Sequence, residues 1–177
     1  MKLKFKRRTS GMTLLEFGIV IGLFALVVGL ALYVVPSILA NIRANAEATL
    51  LPTVESKIQR AWANQPNFSQ VTTAQVAGLH IFPDSEVSGT TIVNRWGGPV
   101  TIAPATLVTA NDATAITSGN VPTAECMQVE QAVETSFRQI TINGTVVKAD
   151  GQTLVNENTV ETACASTTNT MVYTFGK

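Results

Sequence analysis

The residue with the most unusual chemical position is Glu16, a carboxylate at the start of a long apolar stretch. Residues 17–42 contain no charged side chain, and residues 17–35 are almost wholly apolar. A carboxylate near the centre of a bilayer costs roughly 2.5–3.5 kcal/mol, and less near the surface. An exposed helix N-terminus offsets less than about 1 kcal/mol of that cost. We therefore expect Glu16 to have a partner of opposite charge.

Two cysteines and one histidine are the other residues that could carry chemistry. Cys126 and Cys164 are too far apart for a local redox motif, and two thiols alone cannot fill a tetrahedral zinc site. In an exported domain they would form a disulfide, the alternative being two buried free thiols. His80 stands alone in the apolar residues 78–82, which indicates a packed or surface residue rather than a ligand.

The sequence contains no motif of a known catalytic or cofactor site. We find no phosphate-binding loop, no HExxH motif, no acidic calcium loop and no dinucleotide fingerprint. No nucleophile–base arrangement is available, because the one histidine has no candidate partner. The sequence therefore predicts a protein that is not an enzyme and that holds no metal and no cofactor.

Charge is unevenly distributed along the chain. Twelve bases balance twelve acids, but five of the bases lie within the first ten residues. Without that start, seven bases face twelve acids, which is a net charge of −5. A chain of that sign lacks the basic face that non-specific nucleic-acid binding requires, so we expect no nucleic-acid partner. The early bases indicate targeting instead.

The apolar stretch is long enough to cross a membrane, for which a helix needs about 20 residues. The basic start would stay in the cytoplasm, with the bulk of the chain outside. A cleaved secretory signal peptide could end at residues 44–46, Ala-Asn-Ala, but such peptides have apolar cores of only about 7–15 residues. A simple one-span anchor fits the length. Neither interpretation gives Glu16 a role.

A third interpretation comes from residues 9–16, Thr-Ser-Gly-Met-Thr-Leu-Leu-Glu, which resemble the signal of the type IV pilin family. In that family a prepilin peptidase cuts after the glycine and methylates the new N-terminus, and the fifth mature residue is a glutamate. The resemblance implies cleavage between Gly11 and Met12, N-methylation of Met12 and an assembly role for Glu16. The new amine and the carboxylate, both costly in an apolar filament core, would neutralise each other between neighbouring subunits.

The chain is expected to divide into four segments. Residues 1–11 form a leader, residues 12–36 a transmembrane and polymerisation helix, residues 37–64 its amphipathic continuation, and residues 65–177 a globular head. Pro52 is predicted to interrupt and kink the continuation.

Two details of the long helix follow from its side chains. In the amphipathic half, Glu47 is assigned to the polar face. In the apolar half, Gly18 and Gly22 form a small-residue pattern that allows close helix approach, although glycine is common in membrane helices generally. Because Pro36 removes a backbone donor, and a comparable stretch is melted in assembled pili of the family, residues 29–36 are expected to loosen when subunits leave the lipid.

The head is predicted to combine short helices with antiparallel strands. The predicted elements are a helix at 73–79 with a threonine cap, strands at 90–94 and 100–103, a helix from 122 to about 139, a hairpin of strands at 140–142 and 145–147, and a strand at 170–175. The fold class is α+β, with one long N-terminal helix packed on an antiparallel β-sheet head.

The head also resembles the type IVb pilins, among them those of thin conjugative and enteric pili. The resemblance rests on Met12 as mature start, the size of the head, Trp96-Gly97-Gly98 and the cysteine positions. It implies a Cys126–Cys164 bridge that bounds the C-terminal region. A loop of about 40 residues closed in this way is worth about 3–4 kcal/mol in the chain-entropy model.

The resemblance implies the major subunit of a type IVb pilus, for adhesion, aggregation or conjugative mating. The subunit would be a single-pass inner-membrane precursor with a periplasmic head, and then part of an extracellular filament of a Gram-negative bacterium. The implied partners are further copies of the chain, the prepilin peptidase, an assembly ATPase, an inner-membrane platform and an outer-membrane secretin. The alternatives are a type II secretion pseudopilin, a minor pilin, or a single-span anchored periplasmic binding module.

Overall fold

The computed structural model describes residues 13–177, so the predicted cleavage site between Gly11 and Met12 lies outside the described residues. By internal contacts the chain divides into two units, of which the first ends at Leu39 and the second covers Ala40–Lys177. The elements are α1 (Leu14–Ala61), α2 (Thr73–Gly78), a 3-10 helix (Asp84–Glu86), β1 (Val87–Ser88), β2 (Thr91–Val93), β3 (Pro99–Ala105), β4 (Ala113–Val121), α3 (Thr123–Val133), β5 (Gln139–Ile142), β6 (Thr145–Lys148), α4 (Glu157–Ala163) and β7 (Asn169–Gly176).

In the first unit, α1 exposes its apolar side chains. The large hydrophobic residues from Leu14 to Leu39 are between 38% and 92% exposed. Among residues 13–177, α1 is the one helix long and apolar enough to cross a membrane. An apolar surface of this extent marks a contact with lipid or with other protein surfaces, because its exposure to water is unfavourable.

In the second unit, α1 buries one stripe in the hydrophobic core. The buried residues are Ala44, Glu47, Ala48, Leu51, Val54 and Ile58. Their spacing of three and four residues places them on one helical face, which confirms the predicted amphipathic half. The assignment of Glu47 to the polar face was wrong, since Glu47 is only 1% exposed. Glu47 faces an ion-pair partner that is remote in sequence, which periodicity cannot reveal.

α1 runs through Pro52 without interruption, so the predicted break at this residue is wrong. A proline inside a helix costs about 3 kcal/mol, because it removes a backbone donor. Its neighbours Leu51 and Val54 are fully buried, and packing of that stripe outweighs the local cost. α1 ends at Ala61, slightly before the predicted residue 64.

The head is built on one seven-stranded sheet with the order β1-β2-β3-β4-β7-β5-β6. All neighbouring strands are antiparallel. The C-terminal strand β7 therefore lies inside the sheet, between β4 and β5. Its Tyr173 and Phe175 rings pack against Phe137, with centroid distances of 5.2 and 6.1 Å. The predicted α+β class, a long helix on an antiparallel sheet, is confirmed.

Several predicted elements of the head are confirmed. α2 begins after Thr72, whose hydroxyl caps it by accepting a hydrogen bond from the Gln75 backbone N–H at 3.3 Å. The β5–β6 hairpin turns at Asn143 and Gly144, both with positive φ. The strands on either side of residues 94–98 and the C-terminal strand are also present.

The helix predicted to reach residue 139 is shorter, since α3 ends at Val133. The buried ammonium of Lys148 donates to the carbonyls of Glu134 and Phe137, which lie past the end of the helix. From Gln139 onward the backbone pairs with β7 instead. Strand β4 and helix α4 had not been predicted.

The turn between β2 and β3 depends on a close backbone approach. A Cβ atom on Gly98 would lie 1.9 Å from the carbonyl oxygen of Gly119 at the end of β4. The side-chain amide of Asn94 donates to that same carbonyl at 2.6 Å and to Ser118 Oγ at 2.8 Å. The turn can therefore pack against β4 only when residue 98 has no side chain.

We expect Gly98→Ala to lower the free energy of unfolding by about 3 kcal/mol, since the new methyl group would force the turn away from β4. Urea unfolding of the purified protein measures the change. Gly78→Ala is the matched control, because nothing lies within 4 Å of its added Cβ. That control should change stability by no more than about 1 kcal/mol. Equal stabilities for the two variants would contradict the prediction.

Candidate functional site

The start of α1 is the first candidate site. Oε2 of Glu16 accepts hydrogen bonds from the backbone N–H of Thr13 at 2.9 Å and from its hydroxyl at 3.0 Å. The backbone N–H of Glu16 donates in return to Thr13 Oγ1 at 3.3 Å. This reciprocal pair is a capping box, in which the residue before the helix bonds with a glutamate three residues later. Its signal, Thr-x-x-Glu, is visible in the sequence but is missed by an argument from charge alone.

The capping box leaves part of the Glu16 carboxylate free. A carboxylate offers about four acceptor positions, and Thr13 uses two of them. Both bonds reach Oε2, and among residues 13–177 no donor bonds to Oε1. The carboxylate is exposed, so it can accept a further donor without giving up its role as a cap.

The second candidate site is a buried ionic cluster in the second unit, formed by Glu47, Glu86 and Arg95. Nη2 of Arg95 lies 3.1 Å from Oε1 of Glu86, and Nε of Arg95 lies 3.7 Å from Oε2 of Glu47. Glu47 is 1% and Glu86 6% exposed, whereas the Arg95 side chain is 33% exposed. Two buried carboxylates therefore share one guanidinium.

Asn94 positions Arg95. Its Oδ1 accepts hydrogen bonds from the backbone N–H groups of Trp96 at 3.0 Å and Gly98 at 2.7 Å, and its amide bonds to the end of β4. Asn94 is 4% exposed, and its side chain uses both its N–H donors and its oxygen acceptor. The Trp-Gly-Gly segment is thus a rigid turn that presents Arg95 to α1. Its ionic role had not been predicted, since no sequence pattern connects residue 95 with residue 47.

Burial shifts the pKa values of the acids in and near this core. Burial, reinforced by the charge of Glu86, raises the pKa of Glu47 from 4.5 to about 7, against the opposing effect of Arg95. The pKa of Glu86 is raised by burial and is partly lowered again by Arg95. Burial also raises the pKa values of Glu55 and Glu130 to about 7. Three carboxyl groups of the second unit, those of Glu47, Glu55 and Glu130, are therefore expected to change charge near neutral pH.

The disulfide is the third feature. Cys126 in α3 and Cys164 after α4 form a bridge, with a Cα–Cα distance of 5.9 Å, and both residues are fully buried. Asn169 lies beside it, and its amide donates to the carbonyls of Val121 at 3.1 Å and Ser166 at 2.9 Å. The bridge and this amide together tie the helices to the central strands β4 and β7.

The other residues considered from the sequence take structural positions. His80 Nδ1 lies 2.9 Å from Asp84 Oδ1, with side chains that are 74% and 85% exposed, so His80 belongs to a surface pair. Trp62 is buried in the core and Trp96 is half-buried against it. Within residues 13–177, no group of three or more His, Cys, Asp or Glu side chains is arranged to hold a metal ion.

The chain is similar to one protein-family model and to solved structures of known proteins. The family model described as PilS N terminal matches residues 41–176. A type IVb pilin from Salmonella typhi, solved by crystallography, is 20% identical with a TM-score of 0.60, over 75% of this chain and 99% of that chain. TcpA, a type IV pilin from Vibrio cholerae El Tor biotype, is 18% identical with a TM-score of 0.57, over 75% and 98%. At these identities the structural likeness concerns the fold. No curated protein sequence gives a significant match.

We expect the double substitution of Cys126 and Cys164 by serine to lower the free energy of unfolding by about 3–4 kcal/mol, because the unfolded chain regains the freedom that the bridge removes. Urea unfolding measures the loss. Wild-type protein with its disulfide reduced serves as the control and should show a loss of similar size. An unchanged unfolding midpoint in both samples would rule out a stabilising role for the bridge.

Stability should also depend on pH. The folded-state pKa of Glu47, about 7, lies above its ordinary value of 4.5, so the folded protein binds more protons between these values. The contribution is full below about pH 4.5 and is lost as the pH rises through about 7. We expect the contribution of Glu47 to the free energy of unfolding to fall by about 2–3 kcal/mol between pH 5 and pH 8, and the raised pKa values of Glu55 and Glu130 act in the same direction. Urea unfolding at constant ionic strength tests this, and a profile that is flat or rises over this range would contradict it.

Proposed function

The chain belongs to the family described as PilS N terminal, and we propose on that premise that it is the major structural subunit of a type IVb pilus. Its head has the type IVb pilin fold. The observation that carries the proposal is the combination of this head with an exposed apolar helix that begins at an acidic residue, Glu16. Such a helix requires a covering surface, and copies of the same helix can provide it.

We propose that the chain is made as a precursor and matures by one cleavage. The prepilin peptidase would remove residues 1–11, leaving Met12 as the N-methylated first residue. The Gly11–Met12 junction and the spacing to Glu16 support this step. The mature subunit would then consist of the polymerisation helix at 12–36, its amphipathic continuation at 37–64 and the head at 65–177.

We propose that Glu16 and the mature amine form the contact that registers each subunit in the filament. Inside a bundle of apolar helices an unpaired carboxylate or amine is strongly unfavourable, and a pair of the two is much less so. Oε1 of Glu16 has the acceptor capacity for this contact, because the capping box engages Oε2. The amine of Met12 in a neighbouring subunit is the proposed donor.

The location and the partners follow from the same proposal. Before assembly the apolar helix would hold the subunit in the inner membrane, with the N-terminus in the cytoplasm and the head in the periplasm. An assembly ATPase, an inner-membrane platform and a secretin would move it into an extracellular filament. The filament would serve adhesion, aggregation or conjugative mating.

One observation supports a second candidate, a single-span anchored module of the periplasm. The capping box explains Glu16 without a second subunit, since it stabilises the start of α1 within one chain. In that case the charge of Glu16 would be dispensable, and a glutamine would serve equally well. A type II secretion pseudopilin and a minor pilin would retain the charge requirement but would not form the bulk of the filament.

N-terminal sequencing of the mature protein, together with electron microscopy of sheared surface material, tests the proposal. We expect filaments composed mainly of this chain, with N-methylmethionine from position 12 as the first residue. A mature start at Glu47 would instead indicate a secretory signal peptide. An uncut Met1 without filaments would support the anchored module.

Substitutions at the capping box separate the charge of Glu16 from its capping role. Glu16→Gln retains the cap, because glutamine serves in a capping box, but it removes the charge. Thr13→Ala removes the hydroxyl that caps the backbone N–H of Glu16 and keeps the charge. We expect Glu16→Gln to reduce filament yield at least about tenfold, equivalent to about 1.4 kcal/mol of lost contact energy, while Thr13→Ala retains filaments. Both variants should accumulate in the membrane, as immunoblotting would show. Accumulation of the wild type and both variants in the membrane without filaments would favour the anchored module, and equal filament yields from Glu16→Gln and the wild type would contradict the proposed role of the charge.

A further inference from the structure

The ionic cluster of Glu47, Glu86 and Arg95 has one more acid than base. Oε2 of Glu47 and Oε2 of Glu86 are both shielded from solvent and accept no hydrogen bond from residues 13–177. The 3.7 Å approach of Arg95 to Glu47 is an ion pair without a hydrogen bond. A buried carboxylate oxygen without a donor is costly, and a bound proton is the smallest group that removes the cost.

The remaining neighbours do not neutralise the excess charge. Tyr173 of β7 lies within the electrostatic reach of Glu47 and Glu130, and burial raises its pKa well above 10, so it stays uncharged at physiological pH. Its hydroxyl donates to Met171 Sδ at 3.1 Å rather than to a carboxylate. Arg43 lies one helical turn before Glu47, but its side chain is exposed and forms no ion pair with the cluster among the described residues.

An open cleft beside the cluster connects it with solvent. The cleft has a volume of about 320 Å³ and is lined by Arg43 and Ala46 of α1, by Glu86 and by Arg95. Water in such a cleft can deliver or accept a proton at the edge of the buried cluster. The cleft lies between α1 and the turn at residues 94–98, so a change of charge in the cluster acts on the contact between these two elements.

We propose that Glu47, Glu86 and Arg95 form a proton-operated latch between α1 and the turn at residues 94–98. With one proton bound, the cluster is electrically neutral, and Arg95 holds the turn against α1. When the proton leaves, two carboxylates compete for one guanidinium, the excess charge draws water into the cleft, and the contact loosens. The contact between α1 and the turn is therefore tight at lower pH and loosens as the pH rises through neutrality. The latch acts within the second unit, Ala40–Lys177, so it does not depend on the proposed function.

The geometry favours Glu47 as the group that carries the proton. Nη2 of Arg95 lies 3.1 Å from Glu86, whereas the nearest approach of Arg95 to Glu47 is 3.7 Å, so Glu86 forms the closer ion pair. Glu47 is the more deeply buried of the two and lies farther from Arg95. Glu47 is also the one charged residue in the buried stripe of α1, so its charge state bears directly on how α1 packs on the head.

Carboxyl titration by NMR tests the bound proton, on the full-length mature chain in detergent micelles with labelled glutamate. We expect a Glu47 midpoint near 7 that disappears in Glu47→Gln. Glu86→Gln should lower this midpoint by about one pH unit, since it removes the neighbouring negative charge. Glu55→Gln is the matched control: it lies on the same helix and has a similarly raised pKa but is outside the cluster, so it should leave the Glu47 midpoint unchanged.

Hydrogen exchange tests the opening itself. The amides of Trp96 and Gly98 bond to Asn94, so their protection reports on the turn. After correction for intrinsic rates, we expect their protection to fall at least about fivefold between pH 6 and pH 8 in the wild type, but not in Glu47→Gln. Amides of the β5–β6 hairpin should not change in either protein. A Glu47 midpoint below pH 5, or equal protection of the turn at both pH values in the wild type, would overturn the proposal.

Discussion

A carboxylate that leaves water needs a cation, a donor or a proton, and α1 places a carboxylate at two positions where this constraint decides the structure. Glu16 stands at the start of an exposed apolar helix, and Glu47 lies in the buried stripe of the same helix. Each has a solution within the chain: a capping box for Glu16 and a shared arginine for Glu47. Neither arrangement satisfies the carboxylate fully. At Glu16 the oxygen Oε1 has no donor among residues 13–177, and around Glu47 two carboxylates share one guanidinium.

The head supplies the arginine through a sequence of local constraints. Arg95 faces α1 because Asn94 ties its turn to the end of β4, and the turn reaches β4 because residue 98 has no side chain. The position of β4 is in turn held by β7, which the chain reaches only after the disulfide-bridged segment. The C-terminal strand lies inside the sheet, between β4 and β5, where its buried residues Met171, Tyr173 and Phe175 form part of the core. The contact between α1 and Arg95 thus depends on β7, the last strand in the sequence.

Local sequence signals predicted the elements that have strong local causes. The Asn143–Gly144 hairpin follows from two residues that accept positive φ, and the long helix follows from its uninterrupted apolar run. Strand β4 was missed because Gly119 and Asn120 are poor strand formers and because the buried face of the strand carries the polar residues Thr114 and Ser118 beside Ile116, which removes the apolar alternation that marks a strand. Helix α4 was missed because it is short and mostly polar, and it packs through Val160 and Ala163 only. The break predicted at Pro52 was wrong because burial of Leu51 and Val54 outweighs the lost backbone bond.

By itself, the sequence determined the class of the protein, and it predicts the cleavage and the charge pairing at its start. A long uncharged apolar run, the spacing of Gly11, Met12 and Glu16, and the two cysteines are local or compositional features, and they need no knowledge of the fold. The tertiary structure decided which acid is buried, which arginine faces it and which strands are neighbours. These depend on contacts between residues distant in the chain, such as Glu47 with Arg95, and no local pattern encodes such a pairing. Such residues become partners only when the core has formed, because burial and electrostatic attraction act on them only once the fold has brought them together.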